Sequence, residues 1–187
     1  MLQAAAKRIE MNIQELKNTI DSFCKAMKLI EEKSNANADL VKPARAELAF
    51  FGLYLMFDEG SFDEEELELI EEASGYRINR DCWNEIMEVG RVDSEKNYLS
   101  QPPHTFMVMV DLDNLLYGAG EEMSAYDSAY EVYKLVGDYL VNRKGFTDEK
   151  RLEKLGRFLA MVEDYRKDKA ENVVKPSKKG VTAPKKS

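Results

Sequence analysis

Residues 47–75 read ELAFFGLYLMFDEGSFDEEELELIEEASG and give the first indication of the architecture. An apolar run leads to an acidic turn at Gly60, and a second, strongly acidic segment follows. This order predicts two helices joined as a hairpin, with a capping box formed by Ser61 and Glu64. Gly52, in the middle of the apolar helix, predicts that another helix approaches the backbone closely there. Because this helix is apolar on almost all sides, we expect it at the centre of the bundle, and Gly75 predicts the end of the acidic helix.

The same pattern returns about 85 residues later in the chain. Gly52 and Gly60 correspond to Gly137 and Gly145, and in both copies the second glycine comes eight positions after the first. A helix–turn–helix pattern that occurs twice indicates a helical body built by duplication. The two predicted hairpins cover about residues 44–75 and 124–165.

Residues 1–33 predict one long amphipathic helix in front of the hairpins. Its apolar residues alternate spacings of three and four over three heptads, which is typical of a coiled-coil seam. The seam either packs along the body of its own chain or binds a protein partner or a second copy. It consists of Ile9, Ile13, Leu16, Ile20, Phe23, Met27 and Ile30.

The remaining segments are also helical in pattern. We predict a helix from near Asp39 to Phe57, one that begins at Asn79, one over Thr105–Tyr117 and a last one that ends near Glu171. Seven helices and no convincing sheet make the chain an all-α multi-helix bundle. In this division residues 39–171 form the bundle, and residues 172–187 form a disordered basic tail.

The charge distribution bears on the class of partner. The net charge is −8, and five lysines with no acids follow Glu171, so residues 1–171 carry about −13. An acidic body does not favour direct binding of nucleic acid, which needs a positive footprint. No apolar run reaches the ~18 residues of a transmembrane helix. Cys24 and Cys82 lack the spacing of a disulfide or zinc framework, so we expect a cytoplasmic protein.

A divalent-metal site is the first chemistry to consider. Its candidate ligands are Asp58, Glu59, Asp63 and Glu66, around the acidic turn of the first hairpin. An EF-hand is excluded, because the first and third ligand positions of that register would be apolar. Acids at a helix start more often interact with the helix dipole, so the alternative is a structural role.

The sequence shows no catalytic constellation. His104 is the only histidine, and no nucleophile or orienting group can be assigned to it. Asp111 and Asp113 are two residues apart on a predicted helix, so they point in different directions and are interpreted as solvated. We therefore predict that the chain is not an enzyme and needs no cofactor, with a divalent metal left open.

The stretch from Ala46 to Gly75 resembles the helical hairpin of the tellurite-resistance TerB-like family. In that family an apolar helix leads to an acid–glycine turn, followed by an apolar residue, acids and a glutamate. The resemblance implies a compact bacterial helical bundle that acts as a metal-associated or scaffolding module in stress response or phage defence. The matching residues here are Glu59, Gly60, Phe62, Asp63 and Glu66.

Three functions follow as expectations. The first is a non-enzymatic scaffold or adaptor of TerB-like type that binds a protein partner. The second is an acidic inhibitor that mimics nucleic acid and occupies the basic groove of a DNA- or RNA-binding enzyme, which the charge of the body favours. The third is a helical protein that binds a divalent metal.

Overall fold

The computed structural model describes residues 13–34, 39–56, 63–77, 100–116, 125–142 and 147–173. All regular structure within these ranges is α-helical, which confirms the predicted all-α bundle. The predicted helices over residues 39–57 and 105–117 are both present, whereas the one expected from Asn79 lies outside the described residues. The six helices are α1 (Ile13–Ser34), α2 (Val41–Met56), α3 (Glu64–Ser74), α4 (His104–Leu116), α5 (Ala125–Asn142) and α6 (Glu149–Val173).

Helix α2 lies at the centre of the bundle, because it is apolar on nearly all sides. It packs against each of the other five helices. Phe51 is fully buried and contacts the rings of Tyr133 and Phe158, with centroids 5.2 and 4.5 Å away. Phe106 of α4 completes this aromatic cluster at 4.8 Å from Tyr133. The cluster therefore joins α2, α4, α5 and α6 in one core.

Gly52 and Gly75 have the roles that the sequence predicts. A Cβ atom at Gly52 would overlap Cδ1 of Ile70, so the glycine allows α3 to lie close to α2. Gly75 ends α3 in the left-handed conformation, with φ 75°, and its N–H donates to the Glu71 carbonyl at 2.9 Å. Only glycine adopts this backbone conformation without a steric cost.

The second hairpin repeats the helix contact of the first. A Cβ atom at Gly137 would overlap Leu155, and this pair lies 85 residues after Gly52 and Ile70. The N-terminal caps correspond too, since Asp63 begins α3 and Asp148 accepts the Arg151 N–H at the start of α6. The duplication predicted from sequence is thus visible in the packing of both hairpins.

The structure extends the repeat from two helices to three. A carboxylate of Glu31, in α1, accepts the N–H groups of Leu40 and Val41 at the start of α2. Asp113, in α4, accepts those of Ala125 and Tyr126 at the start of α5, at 2.7 and 3.1 Å. The N–H groups that donate are again 85 residues apart, whereas the two acids are 82 residues apart, a difference of about one helical turn. We define unit one as α1–α3 and unit two as α4–α6.

The interpretation that both acids of α4 are solvated is wrong for Asp113. Asp111 is exposed, but the carboxylate of Asp113 satisfies two N–H groups that have no partner within α5. This bond could not be predicted from the sequence, because the carboxylate and the N–H groups come from different helices.

The seam of α1 packs inside the chain. Leu16, Ile20, Phe23 and Met27 are at most 4% exposed, and α1 contacts α2, α3 and α5. Ile13 and Ile30 pack against the same core and are partly buried, whereas Ile9 lies outside the described residues. Each fully buried side chain of this kind stabilises the packed state by about 1.5–3 kcal/mol. Between residues 13 and 34 the seam is therefore not exposed to a partner, and the internal alternative is the one observed.

Candidate functional site

The start of α3 holds two of the four residues proposed as metal ligands. Asp63 is the N-terminal cap, and its Oδ1 accepts the Glu66 N–H at 3.0 Å. Glu66 Oε2 in turn accepts the Asp63 N–H at 3.1 Å, which completes a capping box. The prediction that Ser61 and Glu64 form this box is wrong. Asp63 has the extended backbone of the cap, and α3 begins at the next residue, Glu64.

Glu66 is also one half of a buried ion pair. Its side chain is 0% exposed, and its Oε1 lies 2.8 Å from Nη1 of Arg151, which is 3% exposed. Removing one partner of such a pair leaves a buried charge and typically destabilises a protein by about 3–5 kcal/mol. Arg151 was not predicted as a member of this site. The signal that could have found it is the alignment of the two hairpins, in which Arg151 is the equivalent of Glu66.

Two cations of α6 bind carbonyl groups at the ends of other helices. Arg151 Nη1 donates to the Leu140 carbonyl at 2.9 Å, near the end of α5. Lys154 Nζ donates to the Tyr54 carbonyl at 3.1 Å, near the end of α2. The last carbonyl groups of a helix lack partners within it, so these bonds stabilise both ends and hold α6 in place.

This geometry concerns two of the four residues proposed as metal ligands, Asp63 and Glu66. The carboxylates of Asp63 and Glu66 already accept backbone N–H groups, and Glu66 also binds a guanidinium group. No cluster of three potential metal ligands occurs within the described ranges. Asp58 and Glu59 lie outside them, so the four-residue metal site stays a prediction.

The outer face of α2 is a second candidate site. Phe50 is 55% exposed, although its neighbours from Phe51 to Met56 are all buried. Pro43 and Ala46 are exposed at helical spacing on the same side. Apolar residues at positions i, i+3 and i+7 are the pattern by which helices present a face to a groove or a partner. We call Pro43, Ala46 and Phe50 the α2 outer face.

The exposed side of α3 is a third candidate, defined by its charge. Glu64, Glu65 and Glu68 are exposed, and Glu71 and Glu72 are half-buried. Two of these glutamates interact with neighbouring helices. Glu65 accepts the Tyr139 hydroxyl at 3.3 Å, and Glu68 binds the Lys17 ammonium.

Among the residues that the structure describes, none forms a catalytic arrangement with His104 or Cys24. His104 is exposed, and its backbone N–H donates to Glu47 Oε1 at 2.7 Å. Glu47 also accepts the Thr105 N–H at 2.8 Å, so its function is to cap α4. Burial raises the pKa of the Cys24 thiol, which disfavours the reactive thiolate at neutral pH. The role of Glu47 was not predicted, because its partners are 57 and 58 residues away.

None of the helices, over the ranges that the structure describes, is both long and apolar enough to cross a membrane. Comparisons with models of protein families, with curated proteins and with solved structures gave no match. The resemblance to the TerB-like family therefore rests on the sequence pattern of residues 46–75 and of the weaker second copy, residues 132–165, and stays a prediction.

Proposed function

We propose that this chain is a non-enzymatic scaffold or adaptor module of TerB-like type, which acts in the cytoplasm by binding a protein partner. The observation that carries the proposal is the exposure of Phe50 on α2. This helix supplies the centre of the core, yet it keeps a large aromatic side chain 55% exposed.

The remainder of the α2 outer face supports this assignment. Single exposed apolar residues are common, but a row of them along one helix is typical of an interaction surface. An exposed aromatic side chain can also anchor a partner, since it supplies a large contact area with little conformational entropy to lose. The seam of α1 is packed within the chain, so the proposed surface is that of α2.

Affinity capture from cells with three forms of the full chain tests the proposal. These are the wild type, Phe50→Gln and Leu29→Gln. Leu29, on α1, is a matched control because it is also 55% exposed. We expect the wild type and Leu29→Gln to retain the same partner and Phe50→Gln to lose it. Equal retention by all three, or no partner for any, contradicts the proposal.

A second function, an acidic inhibitor of a basic nucleic-acid-binding enzyme, is favoured by one observation. The exposed side of α3 presents Glu64, Glu65 and Glu68 in two successive turns. Such an inhibitor would bind basic proteins in a manner that weakens steeply with salt. Binding to an immobilised basic nuclease at low and high salt tests this, and no retention at low salt excludes it.

A further inference from the structure

Glu66 and Arg151 are equivalent residues of the two units, and they contact each other. Each lies three positions after the aspartate that caps its helix, Asp63 in unit one and Asp148 in unit two. They are separated by 85 residues, which is the repeat distance. The contacts of α1 with α5 and of α4 with α2 are also equivalent, as a two-fold rotation between the units requires. Equivalent residues that touch lie beside the axis of such a rotation.

Which charges meet at this axis depends on which two units are paired. When unit one pairs with unit two, a carboxylate meets a guanidinium group at 2.8 Å. If two copies of unit one paired in the same way, two glutamates would meet at this position, and two copies of unit two would bring two arginines together. Both side chains are buried, so water would screen such like-charge contacts poorly.

The two units also differ at a second pair of equivalent positions. Lys154 of unit two reaches across to the Tyr54 carbonyl of unit one. The position equivalent to Lys154 in unit one is Leu69, which is fully buried and has no polar atom on its side chain to make that bond. Two copies of unit one could therefore not form this bond, because neither would supply the lysine.

We propose that the Glu66–Arg151 pair is a selectivity device at the interface between the two units. It favours the pairing of unit one with unit two and rejects the pairing of a unit with its like from a second copy of the chain. Interfaces that use charge in this way gain specificity from the repulsion in the wrong pairing as well as from the attraction in the right one.

Charge exchange tests whether the two positions are equivalent. Glu66→Arg and Arg151→Glu each place two like charges at the axis, so each lowers the urea midpoint of unfolding. In the double variant Glu66→Arg/Arg151→Glu the two charges exchange places, so a carboxylate again meets a guanidinium group. The glutamate introduced at position 151 would then be placed to complete a capping box with Asp148, as Glu66 does with Asp63.

We expect the double variant to recover at least half of the decrease in urea midpoint that the less stable single variant shows. A double variant that is no more stable than the single variants, or that does not fold, overturns the proposal. The matched control is Arg157→Glu, which reverses one charge of the exposed Glu153–Arg157 pair on α6 and is expected to leave the midpoint almost unchanged.

A neutral variant tests the rejection of like units. In Glu66→Leu/Arg151→Met the charges are replaced by apolar side chains of similar size, an exchange that buried ion pairs often tolerate. This variant is expected to fold but to refold from urea into species larger than the wild type, measured by sedimentation over a range of protein concentrations. The same mass as the wild type at every concentration overturns the proposal.

Discussion

Substitution of Gly52 by alanine tests the close contact between α2 and α3. In an open helix this change stabilises by about 1 kcal/mol, because glycine is the poorer helix former. Here the new Cβ atom would overlap Ile70 Cδ1, whereas the next nearest atoms lie at an ordinary 3.8 Å. Overpacking in a core costs about 1–3 kcal/mol. The sum of the two effects is a destabilisation of about 0–2 kcal/mol.

Removal of the overlapping atom should reverse the overpacking. Ile70→Val deletes Cδ1 and by itself costs about 0.5–1.5 kcal/mol. In Gly52→Ala/Ile70→Val the new methyl group occupies the space that Cδ1 vacates. We therefore expect the double variant to be more stable than the sum of the single effects by about 1–2 kcal/mol, since residues in contact are not additive.

Urea unfolding followed by far-ultraviolet circular dichroism measures these differences in the free energy of unfolding. Gly156→Ala is the control, because Gly156 lies on the exposed side of α6 and a Cβ atom there would meet nothing within 4 Å. It should gain about 1 kcal/mol. The reasoning is refuted if Gly52→Ala stabilises as much as Gly156→Ala, or if the double variant is additive.

Three further predictions concern other groups. Hydrogen bonds from Lys28 and from the backbone at the start of α2 hold the pKa of Glu31 at about 2, below its usual 4.5. The stabilisation that the ionised Glu31 carboxylate gives the fold is therefore complete above pH 4.5 and is lost as the pH falls towards 2. Urea unfolding across this range should show a shallower loss for Glu31→Gln than for the wild type, and equal slopes would contradict this. Tyr126→Phe should leave stability unchanged or raise it by about 1 kcal/mol in thermal unfolding, since the buried hydroxyl has no hydrogen-bond partner in the described ranges; a clear loss would argue against it. Calorimetric titration with calcium, magnesium, manganese and zinc should show no saturable binding, because Glu66 is engaged by Arg151; saturable binding that Asp58→Asn abolishes would contradict this and support the metal site.

The features that were predicted correctly depend on local signals. Gly75 ends α3, and Gly52 marks a close helix contact, because few other roles require a glycine at the end of a helix or in the middle of an apolar one. The density of apolar residues around Phe51 likewise indicated a central helix. Each of these inferences uses residues within one or two turns of each other.

Apart from the capping box of α3, which was assigned to the wrong residues, the features that were missed join groups distant in sequence. Glu47 caps a helix that begins 57 residues later, and Asp113 caps α5 from another helix. Nothing near these acids indicates the N–H groups that they bind, because only the packing of the helices brings them together. The extension of the repeat to three helices was hidden for the same reason, since its evidence is the equivalent N–H groups at the starts of α2 and α5 rather than similar sequence in α1 and α4.

Two related three-helix units pack against each other in this structure through equivalent but oppositely charged residues. An experimental structure, with unit one superposed on unit two at an offset of 85 residues, tests this packing most directly. We expect Ile70 over Gly52, Leu155 over Gly137, and a direct contact between Glu66 and Arg151. Units with different helix packing, or an Arg151 side chain in solvent, would contradict the account.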